Sequence, residues 1–194
     1  MLISIDSLEA TAIRLVPLQP DMKASMRLAL DCDPEGWSVL SVTAHGDGFE
    51  PFWDQMLAEH QSGTRIAYAI VRTADDRIVG TSSFLDIRVK DCAVEIGATF
   101  LHPDVRAGLT NPQAKYLMLD HAFKSGAIRV GFTVDRRNLR SQAAVGKLGA
   151  VREGVLRQHK ITWTGYVRDS VVFSILDKEW PQVRGQLLAR IAGP

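Results

Sequence analysis

The 194-residue chain has the length and composition of a protein with a sizeable apolar core, since 46% of its residues are hydrophobic and 23% are charged. Its net charge of +1 gives no general attraction to nucleic acid or to an anionic membrane, so any anion site must be local. Cys32 and Cys92 share no short motif, and the N-terminus lacks the basic and apolar regions of a signal peptide. We therefore expect reduced thiols and a cytoplasmic protein without a nucleic-acid or membrane partner.

The first half of the chain is predicted to form part of a sheet and two covering helices. The expected strands are residues 12–17, 65–72 and 78–86, and the expected helices begin after a cap at Asp21 and at residue 49. Residues 31–48 mix turn-forming types without a clear period, which indicates a loop or broken helix of the kind that often covers a site. Trp37 and Trp53 are expected to pack in the core.

The strand predicted at residues 93–101 carries the first sign of a site. Its alternation predicts that one face holds Val94, Ile96, Ala98 and Phe100 and that the other holds Glu95, Gly97, Thr99 and Leu101. The second face, with one acid and small residues, lines either a cleft or open solvent. The pattern alone leaves both alternatives open.

A turn and a helix follow this strand, and their junction predicts an anion site. Either Thr110 or Asn111 is expected to cap the helix. Free backbone N–H groups and the helix dipole converge in the turn at residues 105–110, where Arg106 adds a positive charge and Gly108 permits close approach of a ligand. This combination suits a phosphate, although many α/β proteins have such a turn and bind nothing there.

The rest of the chain predicts a second part of the same sheet. Its expected elements are a strand at residues 128–134, a helix at 139–148, a hairpin at 153–162 and 167–176, and a helix after Trp180. We find no internal repeat, low-complexity segment or linker. One domain covering residues 1–194 is therefore expected.

Four motifs in this order resemble the GNAT superfamily of acyl-CoA-dependent N-acyltransferases, and within it the ribosomal-protein N-terminal acetyltransferases of the RimJ/RimL type. The motifs are EIGATFLHP at 95–103, VRAGLTNPQAK at 105–115, NLRSQAAVGKLGA at 138–150, and REGVLRQHK at 152–160 with VRDSVVFSIL at 167–176. The resemblance implies an α/β (α+β) fold with a mixed, mostly antiparallel sheet and flanking helices. It also implies two central parallel strands that splay apart around acetyl-CoA.

The resemblance also implies which residues bind acetyl-CoA, the acyl-donor cosubstrate. They are Phe100, Leu101, Arg106, Ala107, Gly108, Leu109, Thr110, Asn111, Asn138 and Arg140. Two positions depart from the family's phosphate turn, because Leu109 and Asn111 stand where it has glycine and a small residue. Gly108 is the candidate for the close-approach role in a shifted turn. No metal is implied.

The implied reaction is direct transfer of an acetyl group to a primary amine. Ser141 matches a serine that this branch places at the helix start and would protonate the leaving thiolate, whereas Val145 stands where many members have a tyrosine. Ser141 is otherwise read as a helix cap. Glu95 faces the expected cleft and is the candidate general base, acting directly or through a water molecule. Lys160 stands where this branch has an acid and His159 should point to the opposite face, so the base is left open.

Two other functions stay open from the sequence. The chain is otherwise a non-catalytic acyl-CoA-binding module that keeps the fold, or an α/β protein that binds a different phosphorylated ligand. The acceptor, a peptide N-terminus or a small-molecule amine, is expected to contact residues 31–48 and the turn at Thr164 and Gly165. A homodimer is compatible with the sequence.

Overall fold

An eight-stranded sheet runs through the computed structural model, which describes residues 1–193. In spatial order its strands are β1 (Leu8–Glu9), β2 (Ile13–Pro17), β3 (Ile66–Arg72), β4 (Ile78–Arg88), β5 (Ala93–Leu101), β6 (Arg129–Asp135), β8 (Val167–Leu176) and β7 (Val151–Ile161). Neighbouring strands are antiparallel throughout, except that β5 and β6 are parallel. The predicted mixed, mostly antiparallel sheet with a central parallel pair is confirmed.

Helices cover both faces of the sheet. They are α1 (Lys23–Leu30), α2 (Pro34–Ser38), α3 (Phe49–Ser62), α4 (Thr110–Lys124), α5 (Leu139–Gly146) and α6 (Trp180–Ala192). Alternate residues of β3 enter two apolar clusters: Tyr68 and Ile70 join the cluster with α4 and α6, whereas Ala67 and Ala69 join the cluster with α1 and α3. No helix within residues 1–193 is long and apolar enough to cross a membrane.

Several local predictions about the helices need correction. Asp21 lies in a 3-10 turn before α1, and the helix that begins at Lys23 has no side-chain cap. Likewise neither Thr110 nor Asn111 caps α4, whose N-terminus has no side-chain hydrogen bond. The α4 backbone donors are consequently not satisfied by its own side chains, which leaves them available to a ligand.

Residues 31–48 agree with the predicted alternative of a broken helix, since short helical segments interrupt the loop. It contains α2, whose first turn is capped by Asp33 through a 3.1 Å hydrogen bond from the Gly36 N–H. Trp37 is only 1% exposed and Trp53 only 2%, so their predicted packing is confirmed.

The parallel pairing of β5 with β6 is short, and this opens the sheet. Only three residue pairs are in register, and they are Ala93 with Arg129, Val94 with Val130 and Glu95 with Gly131. Beyond them the strands diverge. The edge of β5 that faces β6 therefore lacks a backbone partner from Ile96 onward, which is the splayed arrangement that the motifs implied.

A β-bulge interrupts β5 at the point where the sheet opens. Ala98 adopts a positive φ of 47°, a conformation that L-residues seldom take. The flanking pairs are Thr81 with Phe100 and Ser83 with Gly97, so Ala98 and Thr99 together oppose Ser82.

The bulge exchanges the two faces of the strand. Val94 and Ile96 pack in the cluster with α4, whereas Phe100 packs in the cluster with α3, although uninterrupted alternation would put all three on one side. The predicted alternation over residues 93–101 is therefore wrong after Gly97. Thr99 consequently lies on the α4 side, where its hydroxyl contacts Lys115.

Close contact of β4 with β5 beside the bulge depends on glycine. A Cβ built on Gly80 would overlap the Phe100 carbonyl oxygen and lie 3.1 Å from the Leu101 Cα.

We expect Gly80→Ala to lower the free energy of unfolding by about 1–3 kcal/mol, since backbone atoms have to shift. Gly185→Ala is the matched control, because a Cβ there meets no atom within 4 Å and alanine favours the helix by up to about 1 kcal/mol. Urea unfolding of both variants tests this, and equal effects would contradict it.

Candidate active site

A cleft of about 240 Å³ lies between the diverging ends of β5 and β6. It is bounded by the turn before α4, by the start of α5 and by the loop around α2. Most of the predicted site residues line it, namely Phe100, Leu101, Arg106, Ala107, Asn111, Asn138, Arg140 and Ser141. Gly108 and Leu109 lie in the exposed part of the turn, Thr110 begins α4, and Glu95 lies in a different cavity.

The turn before α4 exposes backbone donors in an unexpected conformation. Ala107, and not Gly108, adopts the left-handed conformation, with a φ of 63°. A Cβ on Gly108 would contact only the Val105 carbonyl oxygen, at 3.8 Å, so the protein's own packing does not require glycine there. The lining residues Ala107 and Asn111 flank the uncapped N-terminus of α4, where the helix dipole favours a negatively charged group.

Arg106 is bound to the protein on three sides. Its Nε donates a 2.8 Å hydrogen bond to the Leu101 carbonyl oxygen, and its guanidinium lies 5.1 Å from the centre of the Phe100 ring. It also forms a hydrogen-bonded ion pair with Asp33. The hydrogen bond from Arg106 holds the pKa of the Asp33 carboxyl below its usual range. Arg106 thus fixes the end of β5 to the loop around α2.

The two segments expected to contact an acceptor meet each other. Trp163, in the hairpin between β7 and β8, donates hydrogen bonds to the Trp37 carbonyl oxygen at 3.1 Å and, from its backbone N–H, to the Ser41 carbonyl oxygen at 3.1 Å. Arg168 donates to the Ser41 hydroxyl at 2.7 Å. Trp37 in turn stacks on Phe100 with ring centres 4.1 Å apart. The hairpin and the loop around α2 therefore form one wall that reaches the cleft.

A buried lysine, not anticipated from the sequence, also lines the cleft. Lys115 is 5% exposed, and its Nζ donates hydrogen bonds to Ser82 Oγ at 3.0 Å and Thr99 Oγ1 at 2.6 Å. None of the ion pairs in the described part of the chain includes it. Burial lowers the pKa of Lys115 to about 7. Its spacing from Met118 and Ala122, three and seven residues on, was the signal that it belongs to the buried stripe of α4.

A second charged group missed by the sequence lies on the opposite wall. Asp135 is 2% exposed and is bound by Arg137, with an Nη2 to Oδ2 distance of 2.8 Å. Arg168 lies 4.0 Å from Asp135 and donates a 2.8 Å hydrogen bond to Ser170. Both Asp135 and Arg168 line the cleft, where they fix the end of β6 against β8.

Ser141 is the hydroxyl in the cleft that the structure leaves available. Asn138 caps α5 by accepting a 2.9 Å hydrogen bond from the Ser141 N–H, so the alternative reading of Ser141 as the cap is wrong. The other lining hydroxyls are engaged, Thr99 by Lys115 and Thr133 by Glu95. Val145, at the tyrosine position, lines the same wall and has no proton to donate.

Glu95 lies in a second cavity, of about 230 Å³, which adjoins the cleft. Thr133 donates a 2.8 Å hydrogen bond to the Glu95 carboxylate, and Phe132 and Thr133 line both cavities. His159 and Leu156 border the second cavity on the β7 side. Within residues 1–193 no group of three or more His, Cys, Asp or Glu side chains is placed to hold a metal ion.

The expected orientation of His159 is wrong, because β7 contains a bulge. Leu156 pairs with Ser170 and Lys160 pairs with Arg168, so three residues of β7 oppose one of β8. Gln158 within this bulge has a φ of 49°. The extra residues turn His159 toward the cavity that Glu95 lines, and burial is the main cause that lowers the pKa of its imidazole.

Burial of Lys115 predicts a specific pH dependence of stability. Its pKa is about 7 in the folded protein and 10.5 ordinarily, so between these values the unfolded chain binds more protons and stability rises with pH. The unfolding free energy of wild type minus that of Lys115→Met should increase by about 1 kcal/mol per pH unit from about pH 7.5 to 9. Urea unfolding at several pH values measures this difference. Lys124→Met, at an exposed position of the same helix, should show no such trend; a flat difference for Lys115→Met would contradict the assignment.

Comparison with known proteins identifies the family. An acetyltransferase (GNAT) domain model matches residues 12–151, and the sequence matches no curated protein. A T. thermophilus structure assigned as an acetyltransferase is 34% identical, with a TM-score of 0.87 over 98% of this chain and 99% of that one. A GCN5-related N-acetyltransferase from Brucella melitensis (24% identity, TM-score 0.88, 97% of this chain and 86% of that one) shares the fold. Mycobacterium smegmatis RimJ, in complex with CoA-disulfide, shares it at 21% identity, with a TM-score of 0.79 over 95% and 94% of the two chains. The chain belongs to the GNAT family of acetyltransferases.

Proposed function

We propose that this protein transfers an acetyl group from acetyl-CoA to a primary amine, by direct attack of the amine on the thioester, as a member of the RimJ/RimL-type branch. The acceptor is a protein N-terminus or a small-molecule amine. The observation that carries the proposal is the junction of two cavities at Phe132 and Thr133, with Ser141 lining one and Glu95 the other. Acetyl-CoA in the cleft and an amine in the second cavity could therefore meet beside Phe132 and Thr133.

The cleft offers acetyl-CoA three kinds of contact. The free edge of β5 presents the backbone of Leu101, which would hydrogen-bond the pantetheine arm, whereas the backbone of Phe100 pairs with Thr81 of β4. The turn from Arg106 to Asn111 and the uncapped α4 N-terminus would hold the pyrophosphate, with Arg140 at the rim. Because Arg106 is already bound to Asp33, we assign it the positioning of this turn. RimJ with CoA-disulfide, and the microcin C7 self-immunity protein MccE with acetyl-CoA and AMP, carry such ligands on the same fold.

The second cavity suits an ammonium group. Its arginines are neutralised, Arg88 by Asp86 at 3.1 Å and Arg129 by Glu153. Glu95 is hydrogen-bonded to Thr133 and takes part in no ion pair in the described part of the chain. A carboxylate without an ion-pair contact is therefore left to attract a cation and to receive the proton that an amine must lose before it attacks.

The reaction then needs two further groups from the chain. As the C–N bond forms and the C–S bond breaks, negative charge develops first on the carbonyl oxygen, where the backbone N–H of Leu101 would stabilise it. The charge then moves to sulfur, where Ser141 would donate a proton. Glu95 and Ser141 thus act at opposite ends of the transferred group.

We also propose a single domain and an acceptor-binding surface for this protein. The continuous sheet from β1 to β7 supports one domain over residues 1–194. The cytoplasmic location and the homodimer stay predictions from the sequence. The wall formed by the hairpin and the loop around α2 supports the predicted acceptor surface, since the loop lines the cleft and the hairpin is hydrogen-bonded to that loop.

Replacing Ser141 separates catalysis from binding. Ser141→Ala should reduce kcat by about 10- to 100-fold, because the thiolate loses its proton donor, and should leave the Kd for acetyl-CoA unchanged. CoA release with a panel of amines and N-terminal peptides, together with calorimetric binding, measures both. Ser125→Ala, at the far end of α4, is the control. Full turnover by Ser141→Ala at saturating acetyl-CoA would contradict the acid role.

Replacing Glu95 tests the acceptor side. Glu95→Gln keeps the shape of the side chain and its contact with Thr133, but it removes the base and the negative charge. We expect kcat/KM for the amine to fall by about 100-fold or more, with acetyl-CoA binding intact.

If wild type is stabilised thermally by acetyl-CoA but releases no CoA with any amine, the protein is instead a non-catalytic binding module. Thermal stabilisation by nucleotides but not by CoA would instead indicate an α/β protein that binds a different phosphorylated ligand.

A further inference from the structure

We infer that Lys115 is the internal cation of the cleft, which interacts with the negative charge of bound acyl-CoA and takes up a proton when the ligand binds. The inference rests on the proposed function and assigns to Lys115 a binding role that the resemblance does not imply. Its ammonium would stabilise the bound anion from within the protein, behind the bulge of β5.

The position of Lys115 carries the inference. Its amine is buried against Ser82 on β4 and Thr99 on β5, beside the strand edge that would contact the pantetheine arm, and it lines the cleft. Lys115 extends from the second turn of α4, next to the uncapped N-terminus where the pyrophosphate would lie. One side chain thus connects the bulged strand to the anion-binding end of the helix.

The other cations of the cleft are already compensated or exposed. Arg106 pairs with Asp33, and Arg168 is surrounded by Ser170, Ser41 and the Asp135 carboxylate. Arg140 is exposed to solvent. Among the described residues that line the cleft, Lys115 is therefore the buried cation without a carboxylate.

Such a group responds to a ligand's charge. Serine and threonine hydroxyls orient an ammonium but do not neutralise it, and the groups that β4 and β5 present to Lys115 are uncharged. Burial alone lowers its pKa to about 7, so near neutral pH the amine is only partly protonated. An anion brought close in a poorly solvated cleft favours the ammonium form and raises this pKa. Binding must then draw a proton from the buffer.

The test is calorimetric titration of wild-type protein with acetyl-CoA alone, near pH 7.5, in buffers of different ionisation enthalpy. The dependence of the observed heat on the buffer should show uptake of up to roughly three quarters of a proton, as expected for a group with a pKa of about 7. The affinity should also fall, approaching about tenfold per pH unit above neutrality. Lys115→Met should lose this proton uptake and this pH dependence and bind more weakly, whereas Lys124→Met should behave as wild type.

The outcomes separate the two proposals. Acetyl-CoA binding by wild type without proton uptake, or with equal uptake by Lys115→Met, would overturn the inference and leave the proposed function standing. This holds even if Lys115→Met fails to fold, because the wild-type measurement decides by itself. Absence of any acetyl-CoA binding would overturn the proposed function and the inference together.

Discussion

The structure depends on how few residues pair β5 with β6. Three pairs hold the strands together, and beyond Glu95 and Gly131 they separate. A sheet that opens in its interior exposes backbone donors and acceptors that would elsewhere bond to a neighbouring strand. Those groups favour a ligand that can replace the missing strand, as an extended molecule with amide groups does. The cleft therefore exists because the pairing of β5 with β6 stops after three residue pairs.

The charges near this opening are unevenly distributed. Lys115 lies on the side of α4 and Glu95 in the second cavity, and neither forms an ion pair with another described residue. Most of the other charged side chains nearby are paired, as Arg106 is with Asp33. The basic side chain and the acidic one thus lie in two different cavities, and Thr133 lines both.

Sequence periodicity predicted the strands and helices well, because each apolar stripe reports on local burial. It failed where extra residues enter a strand: the single extra residue at Ala98 reverses the faces of β5, and the two extra residues around Gln158 change the orientation of His159 within the bulge of β7. No short pattern marks an alanine or glutamine with a positive φ. The spacing of Lys115 places it on the buried stripe of α4, but the hydroxyls that accept its hydrogen bonds come from distant strands and have no local signal.

The bulge at Ala98 also fixes the length of the chain in this part of the molecule. Removing one residue there would restore regular alternation and return Phe100 to the face that packs against α4. Trp37 would then lose the ring on which it stacks, and Thr99 would turn away from the lysine. Insertions and deletions between Glu95 and the turn before α4 are therefore poorly tolerated.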